Sequence, residues 1–566
     1  MRASPLASAA LFLLFPAAGP LLFAHGGIYR SPTSPEPSSV GSGPYPGGPP
    51  VKAGPARPRR FPDWRNWWAL SWEGVLDMRI RMARAALDSR PQDWKEIRPL
   101  SPKEKRELIL PVLSKALGDP NPEVREAAVV ALGKLALPET AALVRKAMKD
   151  RIRPVRNAAV LAAGLGRFRS LEGDLLKLFR PGVNMNETRC WAAVGLGYLG
   201  TDRAVDALLA QLERLAGKSV RGSSAEVTAC CAAGLSVSRS RRAAAGIAPI
   251  LAQARSRRPA VQGLLRFALG KLKARKHLPL VLGGLGNRNP LIRLGAAAGL
   301  GSLAPPGDRS VLGELFCRVR ADKDLFVRAA SLISIGRIGG SPAVRFLEAR
   351  LRKKPGLNYV CLEPFTALAL GLTGERKGAR CLLSGLTSGA VERKGAFALA
   401  LGMLGGPVAG EALVQALGKN RNSETFAEIA LAAGMARAKE ALPRIERILS
   451  KERRLAFLTP SVTALGLLGF RKEAMDLLLS FLSRARSARL QGPLVFALSL
   501  LAGRKEIPRV GELVFRKGVQ DQVRALCCAA LGNLGDHRRH PVLSEFTKDF
   551  PLPLATPVIR EILYLF

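Results

Sequence analysis

The sequence predicts an all-α protein, a right-handed α-solenoid of tandem helical hairpins, and three observations carry that expectation. A helical phrase ending in a small-residue pair returns about thirteen times, at intervals of roughly 31 to 39 residues, the signature of a stacked repeat. Nearly half of the chain, 48%, is hydrophobic, with Ala and Leu dominant, which suits closely packed helices. Only 6% is aromatic, which argues against a β-sandwich or barrel.

Taken in order, Met1-Arg2, the apolar run Leu6 to Phe15 and the small residues up to Ala24 read as a secretory signal over residues 1–24. Residues 25–62 form a Pro/Gly/Ser-rich tether without apolar periodicity, expected to stay disordered. Residues 63–100 hold Trp64, Trp67, Trp68 and Trp72 on one helical face. That face reads as a hydrophobic cap on the open end of the stack rather than as an aromatic ligand platform. Residues 101–566 are the solenoid, opened by Ser101-Pro102-Lys103-Glu104, a capping box with Pro in the first turn. Gly217 to Ser224 reads as a surface loop insertion, and Thr556 to Phe566 as the carboxyl-terminal cap.

The first clear unit runs Glu104 to Leu117, turn, then Glu123 to Leu135. Its phrase Val124-Arg125 to Gly133 returns as Val155-Arg156 to Gly164, Thr188-Arg189 to Gly197, Ile292-Arg293 to Gly301 and Val327-Arg328 to Gly336. Looser copies end at Gly270, Gly371, Gly402, Gly434, Gly466 and Gly532. The stretch Asp119-Pro120-Asn121-Pro122-Glu123-Val124-Arg125-Glu126-Ala127-Ala128, closing at Leu132-Gly133, resembles the HEAT repeat, in particular the bacterial HEAT-like form of bilin lyases. The resemblance spans roughly residues 101–566 and implies tandem HEAT-like helical hairpins. It leaves function open, because such repeats serve scaffolds, lyases and DNA-repair proteins alike. Thr228, Gln262, Glu363, Phe426, Leu458 and Gln491 stand where the better copies have Arg.

The regular polar feature is Asp or Asn six residues before Arg: Asp119/Arg125, Asp150/Arg156, Asn287/Arg293 and Asp322/Arg328. The acid is expected to cap the second helix while the Arg fork bridges to a neighbouring turn, a structural ladder rather than a catalytic set. Arg189, Lys394 and Arg524 keep the frame without a matching acid, which makes them ligand candidates.

With 87 Lys and Arg against 44 Asp and Glu, the net charge is +43, a field that attracts polyanions. The candidate partner-binding residues are the basic clusters between helices, expected to form a ridge along one edge. They are Arg239, Arg241 and Arg242; Arg255, Arg257 and Arg258; Lys271, Lys273, Arg275 and Lys276; Arg352, Lys353 and Lys354; and Lys451, Arg453 and Arg454.

No catalytic, cofactor or metal site is nominated. His537 and His540 with Asp536 lack ligand spacing, and His25 behind Ala24 stands without the rest of a copper site. Asn186-Glu187-Thr188 matches a glycosylation sequon at a helix start, where capping is the simpler reading. Most of the eight Cys sit among Ala and Leu and read as buried thiols, with a Cys361–Cys381 bridge as the weaker alternative. The expected function is an exported, non-enzymatic scaffold that binds a protein or an anionic envelope component. A nucleic-acid-binding or lyase/glycosylase-like solenoid, and an architectural envelope protein, remain the alternatives.

Overall fold

The computed structural model describes residues 62–89, 96, 98–182, 185–216, 223–252, 258–353, 357–419, 423–451, 455–484, 488–536, 538 and 542–563. The signal, the tether up to residue 61 and most of the Gly217–Ser224 insertion lie outside them. The described residues are helices and turns, arranged as thirteen helical hairpins. The second helix of each hairpin is apolar almost all round, because it is covered on every side. These inner helices are Pro122–Leu135, Arg153–Leu165, Asn186–Leu199, Ser223–Val237, Pro259–Lys271, Pro290–Leu303, Leu325–Ile338, Glu363–Leu372, Val391–Leu404, Ser423–Ala436, Leu455–Leu468, Ala488–Leu501 and Asp521–Gly535.

Each inner helix packs on the next, and the thirteenth packs on the first. The solenoid is therefore a closed ring. The recurring glycine explains the joints. A Cβ on Gly133 would stand 2.7 Å from the Ala162 carbonyl oxygen, and one on Gly164 would stand 2.2 Å from that of Gly195. On Gly371 it would lie 2.7 Å from Ala400 Cα. In each of these cases the opposing residue stands two places before the next recurring glycine, so these joints share one register. The closing joint obeys the same rule: a Cβ on Gly532 would lie 2.7 Å from Ala131 Cα, and Ala131 is two places before Gly133. Outer helices meet at the seam too, with Gly511 against Val112 and Lys115 Nζ 4.4 Å from the centroid of the Phe515 ring.

A ring has no open end, and this corrects the expected place of the tryptophan face. Trp64, Trp68 and Trp72 are buried, and the helix Trp64–Leu76 lies against inner helices from several parts of the circle. Arg65 pairs with Glu428 of the tenth at 3.0 Å, and Trp72 meets Phe496 of the twelfth edge-on at 5.9 Å. The helix that follows, Met78–Ser89, packs on the eleventh. The carboxyl-terminal segment enters the same space. Its helix Val542–Thr547 packs on Trp64–Leu76, and its last helix, Pro557–Leu563, packs on the third and fourth inner helices. Contact with inner helices all round a ring requires a position inside it, so the two ends of the chain together fill the lumen.

They meet at Asp549. Its carboxylate accepts from Trp67 Nε1 at 3.2 Å and from Arg337 Nη2 at 2.9 Å, and its N–H donates to Ser71 Oγ at 3.0 Å. Burial pushes this carboxyl up, but Arg337, Lys548 and Lys271 outweigh that and hold it below the usual range.

All eight cysteines are free thiols. Cys190, Cys230, Cys231, Cys527 and Cys528 are buried, Cys361 and Cys381 are half-buried and unbridged, and Cys317 is exposed.

Candidate partner-binding surface

Because the inner helices run parallel and in register, every turn within a hairpin falls on one rim of the ring, and every connection between hairpins falls on the other. The turn rim is organised by the Asp/Arg pairs. Arg125 forks onto Asp150 of the next hairpin, Nε to Oδ2 at 2.8 Å and Nη2 to Oδ1 at 3.0 Å. Its Nη1 donates to the Asp119 and Pro120 carbonyls of its own turn. Arg293 grips Asp322 with two bonds of 2.7 Å. Arg156 donates to the carbonyls of Asp150 and Arg151, and Arg328 to those of Asp322 and Arg320.

The acid does not itself cap the helix, which departs from the sequence expectation. Asp119, Asp150, Asn287 and Asp322 each accept the N–H two residues on, at 2.8–3.0 Å, and so fold the turn. The caps come two places later, at Asn121, Asn289 and Asp324. One short side chain shapes the turn, and a second, at the residue where the backbone leaves the helix, receives the helical N–H groups.

Two of the three unmatched basic positions are engaged in the scaffold, which corrects their reading as ligand candidates. Arg524 of the thirteenth hairpin pairs with Asp119 of the first, completing the ladder across the seam, and also binds Asp521 at 2.7 Å. Asn121 donates to Asp521 at 2.8 Å, and Lys134 to Asn533 at 2.7 Å, across the same joint. Arg189 is buried, bonded to the Phe179 carbonyl at 3.1 Å and to Asn186 Oδ1 at 2.8 Å. Asn186, the sequon residue, is thus an acceptor inside the first helical turn, with Met185 at the cap position. Lys394 is half-buried and donates to the Thr387 carbonyl at 3.3 Å.

The nominated clusters divide between the rims, so the expected single ridge is not formed. On the connection rim, Arg239 pairs with Glu545 of the carboxyl-terminal segment, and Arg242 with Asp206. Arg239 and Lys273 hold left-handed backbone, φ +54° and +53°, just beyond their inner helices, a helix-ending role that Gly200 fills elsewhere. Lys271 points into the filled lumen. It is half-buried, donates to the Lys548 carbonyl at 3.4 Å, and its amine is pushed down to about 7 by burial. Arg241, Arg275 and Lys276 are exposed. On the turn rim, Arg352 and Lys353 are exposed, Arg352 lying 3.5 Å from Glu348, and Arg258 is half-buried at the start of the fifth inner helix. Arg255, Arg257, Lys354, Arg453 and Arg454 lie outside the described residues, as does the side chain of Lys451. His537 and His540 do too; Asp536 is buried beside Arg538 at 3.3 Å. Among the described residues no group of His, Cys, Asp and Glu is placed to hold a metal.

Sequence scanning for clusters passed over the exposed basic residues that occur singly along the turn rim. Lys149, Arg151, Arg180, Arg288, Lys323 and Lys517 are all exposed there. Of the acids on this rim, Asp119, Asp150 and Asp322 are drawn into the ladder, and the exposed Asp521 is held by Arg524 and Asn121. Among the described residues, positive charge is left facing solvent in the turns of the second, third, sixth, seventh, eighth and thirteenth hairpins. Sorting the linear sequence by turn type, within or between hairpins, would have exposed the pattern.

Residues 103–164 match the model for HEAT repeats, and residues 188–214 match that for the PBS lyase HEAT-like repeat. Among solved structures, the chain is similar to human deoxyhypusine hydroxylase in complex with glycerol, at 17% identity and a TM-score of 0.22, over 59% of this chain and 97% of that one. It is also similar to the complex of CpcE and CpcF of phycocyanin lyase from Nostoc sp. PCC7120, at 19% identity and a TM-score of 0.28, over 52% and 94%. No curated protein matches the chain.

Proposed function

We propose that this ring of HEAT-like repeats is an exported, non-enzymatic scaffold that holds an acidic partner against its turn rim. One observation carries the reading: Asp119, Asp150 and Asp322 tie hairpin to hairpin, while the exposed charged side chains of the described turns are predominantly Lys and Arg. Like charge repeated along one rim concentrates anionic groups near the surface and speeds their encounter with it. The basic, then apolar, then small-residue amino terminus supports export. Among the described residues no helix is long and apolar enough to cross a membrane.

Retention on immobilised polyphosphate and on polyglutamate, at low and moderate salt, tests the reading. A variant carrying Lys149→Glu, Arg180→Glu and Lys353→Glu is expected to lose retention and to show a shallower salt dependence. A variant carrying Arg241→Glu, Arg275→Glu and Lys276→Glu, on the other rim, is expected to keep it. The opposite ranking would move the binding surface to the connection rim and overturn the proposal. Recovery of the protein from the cytoplasm alone would overturn export.

A further inference from the structure

We infer that the junction of the two chain ends is a binding site for a small phosphate-type oxyanion, held between the ammonium groups of Lys271 and Lys548. A short turn builds it. After the helix Val542–Thr547, the Phe550 N–H returns to the Thr547 carbonyl at 2.9 Å, with Asp549 in left-handed backbone, φ +58°. Asp accepts that conformation more readily than most residues. Phe550 then seats against Phe267 of the fifth inner helix, ring centroids 5.7 Å apart, and against Phe546 at 5.5 Å. These contacts hold Lys548 beside Lys271, the last residue of that inner helix, at the connection end of the lumen. The site is separate from the turn rim and does not depend on the function proposed for it.

The charges gathered there do not balance. Asp549 lies among them, but its carboxylate is already taken. Arg337 binds both oxygens, Nη2 on Oδ1 at 2.9 Å and Nε on Oδ2 at 2.8 Å, and Trp67 Nε1 adds a bond to Oδ1 at 3.2 Å. Neither lysine is bonded to it. Among the described residues Lys271 finds one acceptor, the Lys548 carbonyl at 3.4 Å, and the Lys548 ammonium finds none. The Phe267 ring, its centroid 5.9 Å from Lys271 Nζ, favours the charge without accepting a conventional hydrogen bond. Burial pushes both amines down, Lys271 to about 7; Arg337 acts the same way and Asp549 opposes it. Asp77, at the end of Trp64–Leu76, also raises Lys548, and the exposed Lys273 lowers it.

An ammonium drawn out of water needs an opposite charge and hydrogen-bond acceptors in exchange. Two of them near one another, with the nearby carboxylate committed to Arg337, are matched by an ion that brings two charges and several acceptor oxygens. A dianionic phosphate group does both, and lysine serves it as a compact charge with three donors. Both lysines are half-buried, and Lys273, two residues past the helix end, is exposed on the side from which an ion arrives. The bound ion ties the fifth hairpin to the carboxyl-terminal segment. That segment in turn holds Trp67 and Ser71 through Asp549, so binding firms the seating of both chain ends.

The test is amide exchange of the full chain at neutral pH, read in Trp64–Leu76 and Val542–Thr547. It is run in sodium chloride and in inorganic phosphate at the same ionic strength, so that general screening cancels. Protection in the parent is expected to rise about tenfold at about 10 mM phosphate, the gain for a site with a dissociation constant of about 1 mM. Lys271→Met with Lys548→Met removes the two unbalanced charges. It is expected to hold these helices at least as well in chloride and to gain less than about twofold from phosphate. Lys548→Gln, a milder change in a turn, is the second variant and is expected to gain less than about threefold. Arg275→Met with Lys276→Met, exposed on the same rim, is expected to keep the parent's gain. Glycerol phosphate in a parallel series tells the source of the group: a gain with both assigns the site to phosphate esters as well, and a gain with the inorganic ion alone restricts it to that ion. No gain in the parent, an equal gain in the Lys548→Gln or double Met variant, or loss of the gain in the Arg275/Lys276 variant overturns the site.

Discussion

Arg524 and Asp119 lie 405 residues apart and meet only if the ring is closed, so their coupling measures closure directly. Their side chains are 16% and 4% exposed. Arg524→Ala strips the Asp119 carboxylate of its counter-ion and leaves it the Asn121 N–H at 3.0 Å. Breaking a pair buried to this degree costs about 3 kcal/mol. Part of that is the loss of the Arg524 bonds to Asp521 and to the Val514 carbonyl, both 2.7 Å and both within the thirteenth hairpin. A double-mutant cycle with Asp119→Asn removes those local terms and leaves the cross-seam interaction, about 2 kcal/mol for a charge-assisted bond. The readout is amide exchange in Pro122–Leu135 and Asp521–Gly535, which reports opening of the seam even where global unfolding is not two-state. The pair Arg125/Asp150, inside the stack, serves as the reference. A seam coupling below about 0.5 kcal/mol, beside an intact reference coupling, would mean that the stack is open in solution and the closure argument fails.

Other outcomes follow from the same geometry. Gly164→Ala places a Cβ 2.2 Å from the Gly195 carbonyl oxygen and is expected to destabilise the chain by about 1–3 kcal/mol in urea unfolding. Gly173→Ala, on an outer helix with nothing within 4 Å, is expected to be neutral or to gain about 0.5–1 kcal/mol. Glu561 has its carboxyl pushed up to about 7 by burial first and then by Glu187 and Glu226, with Arg153 opposing. A folded-state value above the ordinary 4.5 means that the folded chain keeps the proton, so this group's contribution is favourable below 4.5 and is lost as pH rises through about 7. Glu561→Gln should therefore steady Pro557–Leu563 at pH 8 by about 1 kcal/mol, discounted for a half-exposed group, and change little at pH 4, read by amide exchange. An unchanged pH slope would exclude Glu561 as its source. In the native chain Cys317 is expected to react first with a disulfide reagent, whereas Cys527, pushed up to about 12 by burial, reacts only on unfolding.

The hairpins were legible because their signal is local: one period, one glycine, one Asp/Arg spacing. Closure was not, because it depends on the rotation accumulated over all the joints, and no single copy encodes it. Two residues did carry a trace. Asp119 opens the ladder with no Arg before it, and Arg524 ends it with no Asp after it; each is the other's missing partner. The tryptophan face read correctly as apolar, yet its place could be known only once the stack had no end to cover. The basic clusters were read as one ridge because the linear sequence does not distinguish Lys353, in a turn within a hairpin, from Arg241, at a connection between two. Parallel inner helices send those two kinds of turn to opposite rims. Arg239 and Lys273 looked like ligands for a similar reason, since a left-handed backbone angle leaves no mark on composition.

The joint between Gly532 and Ala131 also changes how the molecule can come apart. A linear array of repeats frays, because a terminal unit has one neighbour and its loss breaks one interface. On a circle every unit has two neighbours, so the first hairpin to melt breaks two interfaces at once and no hairpin is cheaper to lose by position. Thirteen nearly equivalent units then behave as one cooperative body with periodic boundaries, resistant to slow erosion by proteases until the whole ring gives way.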